Sequence, residues 1–225
     1  MNEEIIYKDL GRMAYAEAWD LQEKLFQEVI AGKKGNAGAT TPNYLLFCEH
    51  PHVYTIGKSG SENNLLIDED LLTAKGASLC KTNRGGDITY HGPGQIVGYP
   101  ILDLERYGLG IRTYISLLEE SIIALLNEYG IISSRLDGAS GVWLDAGNAN
   151  ARKICAIGVR SSRYVTMHGF AFNVNTNLEY FSYINPCGFL DKGVTSLEKE
   201  LGTSQDIEKV KIRLREIILQ LLENH

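Results

Sequence analysis

The feature that most constrains this chain is the stretch RGGDITYHGPGQ at residues 84–95. It holds four glycines, a proline, an arginine and a histidine around a short β-like piece, Ile88, Thr89 and Tyr90. Glycine lacks a Cβ, so it is used where the backbone turns sharply or approaches a ligand closely. The stretch therefore predicts a binding loop with a cationic and a titratable side chain, and a plain glycine-rich hairpin is the alternative.

Apolar periodicity predicts a mixture of helices and strands along the chain. Helices are expected over residues 13–30, 68–75 and 111–129, and a last one begins near Thr203, whose hydroxyl with Asp206 would cap it. Strands are expected at 44–48, 53–56, 77–82, 96–102, 141–144, 152–159 and 165–174. Several neighbouring strands are joined too briefly for helical crossovers. The pattern predicts an α+β fold, a single domain over residues 1–225 with a mixed β-sheet and packed helices.

Length and charge exclude some classes of protein. At 225 residues the chain is long enough for one substantial core, and its net charge of −6 argues against a general nucleic-acid binder. No apolar run approaches the roughly 20 residues that cross a bilayer. The start, MNEEIIYKDL, lacks the basic-then-apolar pattern of an export signal. We therefore expect a cytoplasmic monomer without membrane or nucleic-acid partners.

One of the four cysteines differs from the others. Cys48, Cys80 and Cys155 lie in β-like apolar runs and are interpreted as small buried hydrophobic residues. Cys187 lies between a proline and a glycine in a loop, where a thiolate could act as a nucleophile. The residue type and its setting make Cys187 the candidate nucleophile.

A zinc site is a weaker hypothesis. Cys48, His50 and His52 alternate along an extended chain, but Pro51 interrupts the run and no fourth ligand is evident. A plain turn before a strand is the preferred interpretation, and no metal is expected.

The group that would activate Cys187 is not decided by residue types alone. Lys153, His91 and His168 are the candidates. Lys153 opens a strand in which it would share one face with three apolar residues, so its ammonium would be partly desolvated and able to exchange protons. The alternative is an edge-strand lysine that reaches water. The three apolar residues are Cys155, Ile157 and Val159.

Five further segments accompany the glycine-rich stretch. They are EHPHVYTIGK at 49–58, RKICAIGV at 152–159, HGFAFNV at 168–174, INPCG at 184–188 and VTSL at 194–197. Together, and in this order, the six segments resemble the lipoyl(octanoyl) transferase family, the octanoyltransferases that begin protein lipoylation. The resemblance implies the fold of the biotin and lipoate transferase catalytic domains.

The resemblance also implies an activity and partners. The octanoyl group of octanoyl-acyl carrier protein would pass to a lysine of an apo lipoyl domain, the first step of endogenous protein lipoylation. Acceptors would be the lipoyl domains of 2-oxoacid dehydrogenases and the glycine cleavage H protein. A thioester on Cys187 would be the intermediate, and Lys153 would be the partner of the cysteine. No cofactor is implied beyond the phosphopantetheine carried by the donor.

The family's substrate-binding positions fall on three segments of this sequence. They are Arg84, Gly85, Gly86, Asp87, Ile88, Thr89, Tyr90 and His91, then Ala156, Ile157 and Gly158, and finally Gly169, Phe170 and Ala171. His91 and His168 would then shape the pocket as hydrogen-bonding groups. The sequence departs from the family at Cys155, where a small residue such as alanine is expected, and Asp87 lies in a variable part of the loop.

Three other functions compete with this interpretation. A lipoate–protein ligase shares the general fold but activates a free acid with ATP, which calls for a phosphate-binding loop that leads into a helix. The glycines of residues 91–98 lead instead into a strand-like run. A cysteine hydrolase would use Cys187 with His91 or His168. In a non-catalytic binding module the cysteine would be incidental.

Overall fold

A computed structural model describes residues 5–33, 41–185 and 192–225. The helices are α1 (Tyr15–Gly32), α2 (Glu69–Ala74), α3 (Ile111–Glu128), α4 (Leu197–Leu201) and α5 (Ile207–Glu223), with short 3₁₀ helices at Glu62–Asn64, Leu104–Tyr107 and Leu178–Tyr183. The strands are β1 (Ile5–Arg12), β2 (Asn43–Glu49), β3 (Val53–Ile56), β4 (Ser78–Lys81), β5 (Ile88–His91), β6 (Gln95–Ile101), β7 (Ser134–Leu136), β8 (Ala139–Leu144), β9 (Arg152–Ser162), β10 (Val165–Asn173) and β11 (Gly193–Val194).

The strands form two sheets of mixed direction. The large sheet has the order β1-β2-β6-β10-β9-β8-β7, and β11 pairs with β9 outside this path. The β1–β2 and β11–β9 pairs are parallel, and the other pairs of this sheet are antiparallel. The small sheet has the order β4-β3-β5, with β3 parallel to β4 and antiparallel to β5. The predicted α+β class with a mixed sheet is confirmed.

Helices cover the two faces of the large sheet. Successive side chains of a strand point to opposite faces of the sheet, so Ile96 and Val97 of β6 belong to different hydrophobic clusters. Ile96 belongs to the cluster that includes Leu118 of α3 and Leu214 of α5. Val97 belongs to the cluster that includes Phe26 of α1. None of the helices in the described part of the chain has the length and apolarity needed to span a membrane.

The predicted elements are present, but the prediction missed four others, which are the strands β1, β7 and β11 and the short helix α4. The sequence of β1, IIYKDLGR, is only partly buried and gives a weak apolar signal. The prediction also placed the start of α5 too early, because Asp206 alone caps that helix, accepting hydrogen bonds from the backbone N–H groups of Glu208 and Lys209. Cys48 and Cys155 are buried as expected, but Cys80 is only half-buried because β4 is an edge strand.

Candidate active site

A cavity of about 500 Å³ is bounded by residues of both sheets. This volume lies within the usual range for small-molecule sites. Lys153 and all the predicted substrate-binding residues except Tyr90 line it. The structure therefore brings three segments that are distant in sequence around one space, and their role in binding stays a prediction.

Cys187 lies outside the described residues. The described chain on both sides of it borders the cavity, because Phe181 on one side and Lys192 on the other are among the lining residues.

The glycine-rich loop is held against β9. The N–H of Gly85 donates to the carbonyl oxygen of Val159 at 3.0 Å. Gly86 has a φ of +84°, a left-handed conformation that favours glycine. A β-carbon on Gly158 would lie 2.8 Å from the carbonyl oxygen of Gly85. Small residues on both segments thus allow the loop to approach the strand closely.

Arg84 fixes the other side of this loop. Its guanidinium is buried and donates to Thr55 of β3 through Nη2, at 2.6 Å to the carbonyl oxygen and 2.9 Å to Oγ1. Its Nη1 donates to the carbonyl oxygen of Gly85 at 3.0 Å. Arg84 therefore joins the loop to the small sheet. Thr55 was not singled out in the sequence, because a threonine inside an apolar strand resembles any β-branched core residue.

A β-bulge in β9 decides where Lys153 lies. Val142 pairs with Cys155, and the next residue, Trp143, pairs with Lys153, so Ile154 is an extra residue. Lys153 lines the cavity, whereas Cys155 is fully buried in the main hydrophobic cluster. The predicted common face of Lys153 and Cys155 is therefore wrong, since a bulge shifts the alternation by one residue.

Because of the bulge, Lys153 contacts Trp143 and Cys155 points into the core. The Nζ of Lys153 lies 4.6 Å from the centroid of the Trp143 ring. Burial raises the pKa of the Cys155 thiol well above its usual value, so it is a poor thiolate. Trp143 was missed in the sequence, where a tryptophan in a strand indicates only core packing.

Two histidines line the cavity as neutral groups. His91 donates from Nδ1 to the Oε1 of Gln95 at 2.9 Å, and its Nε2 lies 3.2 Å from the Oγ1 of Thr55. Burial, with His50 and Arg84 nearby, lowers the pKa of His91 well below its usual value. His168 donates from Nε2 to the Oδ1 of Asn83 at 2.7 Å.

The environment of His168 lowers the pKa of that side chain too. Burial, with Arg84 and Arg160 nearby, lowers the pKa of His168 to about 3. Both histidines are therefore uncharged near neutral pH and fixed by hydrogen bonds. This arrangement suits groups that shape the cavity better than groups that carry protons in turnover.

Tyr90 faces away from the cavity. Successive residues of a strand point to opposite sides, so Thr89 and His91 line the cavity while Tyr90 is buried against other aromatic rings. Its ring is stacked on Tyr180 with centroids 4.9 Å apart, and its hydroxyl lies 2.7 Å from the Nδ1 of His52. Tyr90 therefore packs against the 3₁₀ helix Leu178–Tyr183, the last helical turn before residues 186–191.

Asp87 connects the glycine-rich loop to the chain that precedes Cys187. Its Oδ2 accepts a hydrogen bond from the Nδ2 of Asn64 at 2.7 Å, and its Oδ1 accepts from the N–H of Ile88 at 2.6 Å. The carbonyl oxygen of Asn64 accepts from the N–H of Asn185 at 2.8 Å. A residue that the sequence placed in a variable position thus anchors the described chain just before Cys187.

The chain after residue 191 is anchored to β9. In the β11–β9 pairing, Val194 lies opposite Lys153. The guanidinium of Arg152 donates to both carboxylate oxygens of Glu200 at 2.7 Å, and the Oγ1 of Thr195 donates to Glu200 at 2.5 Å. Both flanks of residues 186–191 are therefore fixed at the cavity by hydrogen bonds.

The three side chains of the disfavoured zinc hypothesis do not converge. Cys48 and His50 are close, with 3.3 Å between Sγ and Nε2, but the Nε2 of His50 also lies 2.6 Å from the Tyr99 hydroxyl. His52 contacts Tyr90 instead. Within residues 5–33, 41–185 and 192–225, no three His, Cys, Asp or Glu side chains are grouped as metal ligands would be.

Comparison with protein families gives a match over most of the chain. Residues 14–218 match the family described as the lipoyl protein ligase A/B catalytic domain. An octanoyltransferase of Bacteroides fragilis is 56% identical over 218 residues, which cover 96% of this chain and 98% of the relative. An octanoyltransferase of Flavobacterium johnsoniae is 55% identical over 228 residues, which cover 99% and 98%.

Solved structures share the fold at low identity. A bipartite lipoate protein ligase from Thermoplasma acidophilum has a TM-score of 0.69 at 16% identity, over 99% of this chain and 84% of that one. Biotin protein ligase from Aquifex aeolicus has a TM-score of 0.52 at 13% identity, over 100% and 71%. These likenesses confirm the predicted fold of the biotin and lipoate transferase catalytic domains.

Proposed function

This chain belongs to the lipoyl protein ligase A/B catalytic-domain family, among its octanoyltransferases, and on that premise we propose how it acts. It is a transferase of octanoyl groups in protein lipoylation. The finer proposal is that the donor is octanoyl-acyl carrier protein, that the acceptor is a lysine of an apo lipoyl domain, and that Cys187 carries the acyl group between them.

The observation that supports this proposal best is the convergence at the cavity. Lys153, the glycine-rich loop and the two small-residue segments of β9 and β10 line one space, and the described chain on both sides of Cys187 borders it. An acyl-transfer enzyme with a cysteine nucleophile needs this combination of a nucleophile, a nearby cation and an apolar space.

In the first step, the thiolate of Cys187 attacks the carbonyl carbon of the donor thioester. The bond from that carbon to the sulfur of the carrier breaks, and the leaving carrier thiolate takes a proton from the Lys153 ammonium and departs as a thiol, so Lys153 becomes neutral. The product is octanoyl-Cys187, a thioester of similar energy to the donor. Lys153 as an ammonium favours the thiolate of Cys187, which is the reactive form of a cysteine.

In the second step, the ε-amine of the acceptor lysine attacks octanoyl-Cys187. The carbon–sulfur bond breaks, an amide forms, the neutral Lys153 takes the proton of the amine and becomes an ammonium again, and the Cys187 thiolate returns. The chemistry uses no ATP, metal or cofactor other than the phosphopantetheine of the donor.

The octanoyl chain would lie along the small residues of the cavity. Ala156 of β9 and Ala171 of β10 line the cavity with small side chains that leave room for a straight chain, whereas Gly158 makes room for Gly85 of the glycine-rich loop. Burial of the about six methylenes that octanoyl has and acetyl lacks contributes roughly 5 kcal/mol, at about 0.8 kcal/mol each. This is sufficient to select a medium chain over an acetyl group.

The proposal includes partners and location. The acceptors are the lipoyl domains of 2-oxoacid dehydrogenases and the glycine cleavage H protein, and the enzyme acts as a cytoplasmic monomer. Size-exclusion chromatography with light scattering tests the monomer, and transfer to each purified apo acceptor tests the acceptor range.

Intact-protein mass spectrometry tests the central step. The protein is mixed with octanoyl-acyl carrier protein without ATP, beside Cys187→Ala and Cys155→Ala variants. We expect one octanoyl adduct that hydroxylamine removes, present in the wild type and in Cys155→Ala and absent in Cys187→Ala.

Other outcomes distinguish the competing functions. Octanoylation of the acceptor that requires ATP and free acid would indicate a ligase. Rapid release of octanoic acid without an amine acceptor would indicate a hydrolase. Unchanged transfer by Cys187→Ala would exclude the thioester intermediate.

A further inference from the structure

Trp143 is a buried side chain in contact with Lys153, and a hydrogen bond fixes its ring. Its side chain is buried, lines the cavity, and donates from Nε1 to the carbonyl oxygen of Ala139 at 3.2 Å. The Nζ of Lys153 lies 4.6 Å from the centroid of the ring. This distance is within the range of a cation–π interaction, for which tryptophan is the best partner.

The β-bulge at Ile154 creates this contact. With regular pairing, the residue opposite Trp143 would be Ile154, because Val142 pairs with Cys155. The extra residue moves Lys153 to the position opposite Trp143. Residues directly opposite in an antiparallel pair have their β-carbons close enough for their side chains to interact. Bulges often redirect a side chain beside an active site.

We propose that Trp143 is a positioning residue, which holds the ammonium form of Lys153 in the cavity and keeps it protonated to higher pH. This inference rests on the proposed role of Lys153. The negative face of the indole attracts an ammonium and not a neutral amine, so the ring favours the protonated state. An ammonium at this position would favour the Cys187 thiolate during the first step.

Other charged groups surround this pair. Lys192 lines the same cavity. Arg152 precedes Lys153 and is paired with Glu200 and Asp145. Glu119 of α3 accepts a hydrogen bond from Gly141 of β8 and is paired with an arginine. Substitutions at Trp143 replace none of these groups, so a change in the titration of Lys153 that the control variant does not share reports the loss of the ring.

The test compares Trp143→Leu, which removes the ring, with Trp143→Phe, which keeps a weaker one. Val97→Ala is the matched control, because Val97 lines the cavity and the substitution changes its volume without touching the Trp143–Lys153 contact. Circular dichroism and thermal melting show whether each variant is folded, and Trp143→Phe retains most of the buried volume if Trp143→Leu does not fold.

Two pH profiles are measured. The first is the rate of modification of Lys153 by a neutral amine-reactive reagent, followed by peptide mass spectrometry. The second is the single-turnover rate of octanoyl-enzyme formation. For Trp143→Leu we expect the midpoint of lysine modification and the alkaline limb of acylation to move down by roughly 0.5–1.5 pH units. Trp143→Phe should move both less, and Val97→Ala should move neither.

Several results would overturn the inference. They are wild-type midpoints in Trp143→Leu, an equal shift in Val97→Ala, or a shift in lysine modification without a shift in acylation. A wild-type protein that forms no octanoyl-enzyme would instead refute the proposed function. The modification profile would still decide whether the ring holds the ammonium.

Discussion

Gly85 and Gly158 are in such close contact that a β-carbon on Gly158 would lie 2.8 Å from the carbonyl oxygen of Gly85. The same loop donates a hydrogen bond from the N–H of Gly85 to Val159 of β9. The glycine-rich loop and the small residues of β9 are therefore one packed unit, and the wall of the cavity depends on both.

Gly158→Ala should damage this wall. The added methyl would contact the Gly85 carbonyl oxygen and come within 3.4 Å of the Arg84 side chain, so the loop must move. We expect a loss of about 1–3 kcal/mol of stability, as for other overpacked sites, and at least a tenfold loss in octanoyl transfer. Urea unfolding and single-turnover acylation measure the two effects.

Gly110→Ala is the matched control, because a β-carbon there meets nothing within 4 Å. It should cost about 0.5–1 kcal/mol, because Gly110 is the N-cap of α3 and alanine is a poorer N-cap than glycine, and it should leave transfer unchanged. Equal effects of the two substitutions would show that the contact between Gly85 and Gly158 does not matter.

Asp87→Ala should slow acylation although Asp87 was expected to be variable. The carboxylate accepts a hydrogen bond from the side chain of Asn64, and the carbonyl oxygen of Asn64 accepts one from the N–H of Asn185. Loss of two accepted hydrogen bonds should cost about 1–3 kcal/mol, and we expect roughly tenfold slower octanoyl-enzyme formation. Rapid-quench mass spectrometry measures the rate.

Asp87→Asn keeps an acceptor oxygen and should lose less than Asp87→Ala. Asp70→Ala on the exposed first turn of α2 controls for the removal of a carboxylate. A normal acylation rate in a folded Asp87→Ala protein would contradict the prediction.

The substitution Tyr90→Phe should preserve substrate binding. Tyr90 faces the Tyr180 ring and not the cavity, and phenylalanine keeps this stacking while it loses the contact with His52. We expect a stability loss of about 1 kcal/mol and an unchanged KM for the octanoyl donor. Tyr90→Ala should cost about 3–5 kcal/mol by leaving a cavity. A raised KM in Tyr90→Phe would show that the hydroxyl contacts substrate.

Mild acid should destabilise the protein through its buried histidines. The pKa of His50 is lowered to about 4 and that of His168 to about 3, both by burial, whereas an unfolded histidine titrates near 6.5. Between these values the unfolded state binds protons that the folded state does not, so stability falls as pH falls. Each histidine should contribute a loss of about 1.4 kcal/mol per pH unit below pH 6.

Urea unfolding between pH 6 and pH 5 measures this slope. His168→Gln should reduce the slope by about 1.4 kcal/mol per pH unit, the contribution of one proton, because glutamine does not titrate. An identical slope in this variant would show that His168 takes up a proton without unfolding.

Much of the candidate site could be predicted from local sequence. The glycine-rich stretch indicated a binding loop, and apolar runs indicated the strands β9 and β10. The family resemblance added Lys153 and the small-residue segments of β9 and β10, which line the cavity. These inferences needed only residue types, short spacings and the order of the motifs along the chain.

Other features could not be predicted in this way. The side chain of Tyr90 was grouped with its neighbours in the motif, but the strand alternation and the rings of the Leu178–Tyr183 helix place it outside the cavity. The strand β1 carries little apolar signal, and its pairing with β2 stabilises it.

The sequence by itself determined the family, the α+β fold and the identity of the chemically capable side chains, because motifs and periodicity are local properties of the chain. The tertiary structure alone decided that Lys153 shares the cavity face and meets Trp143, while Cys155 is buried in the core. The physical reason is the bulge at Ile154. A bulge is defined by the pairing of one strand with another, here of β9 with β8. The side to which the β9 residues on either end of the bulge point therefore depends on this pairing, which the sequence of β9 alone does not show.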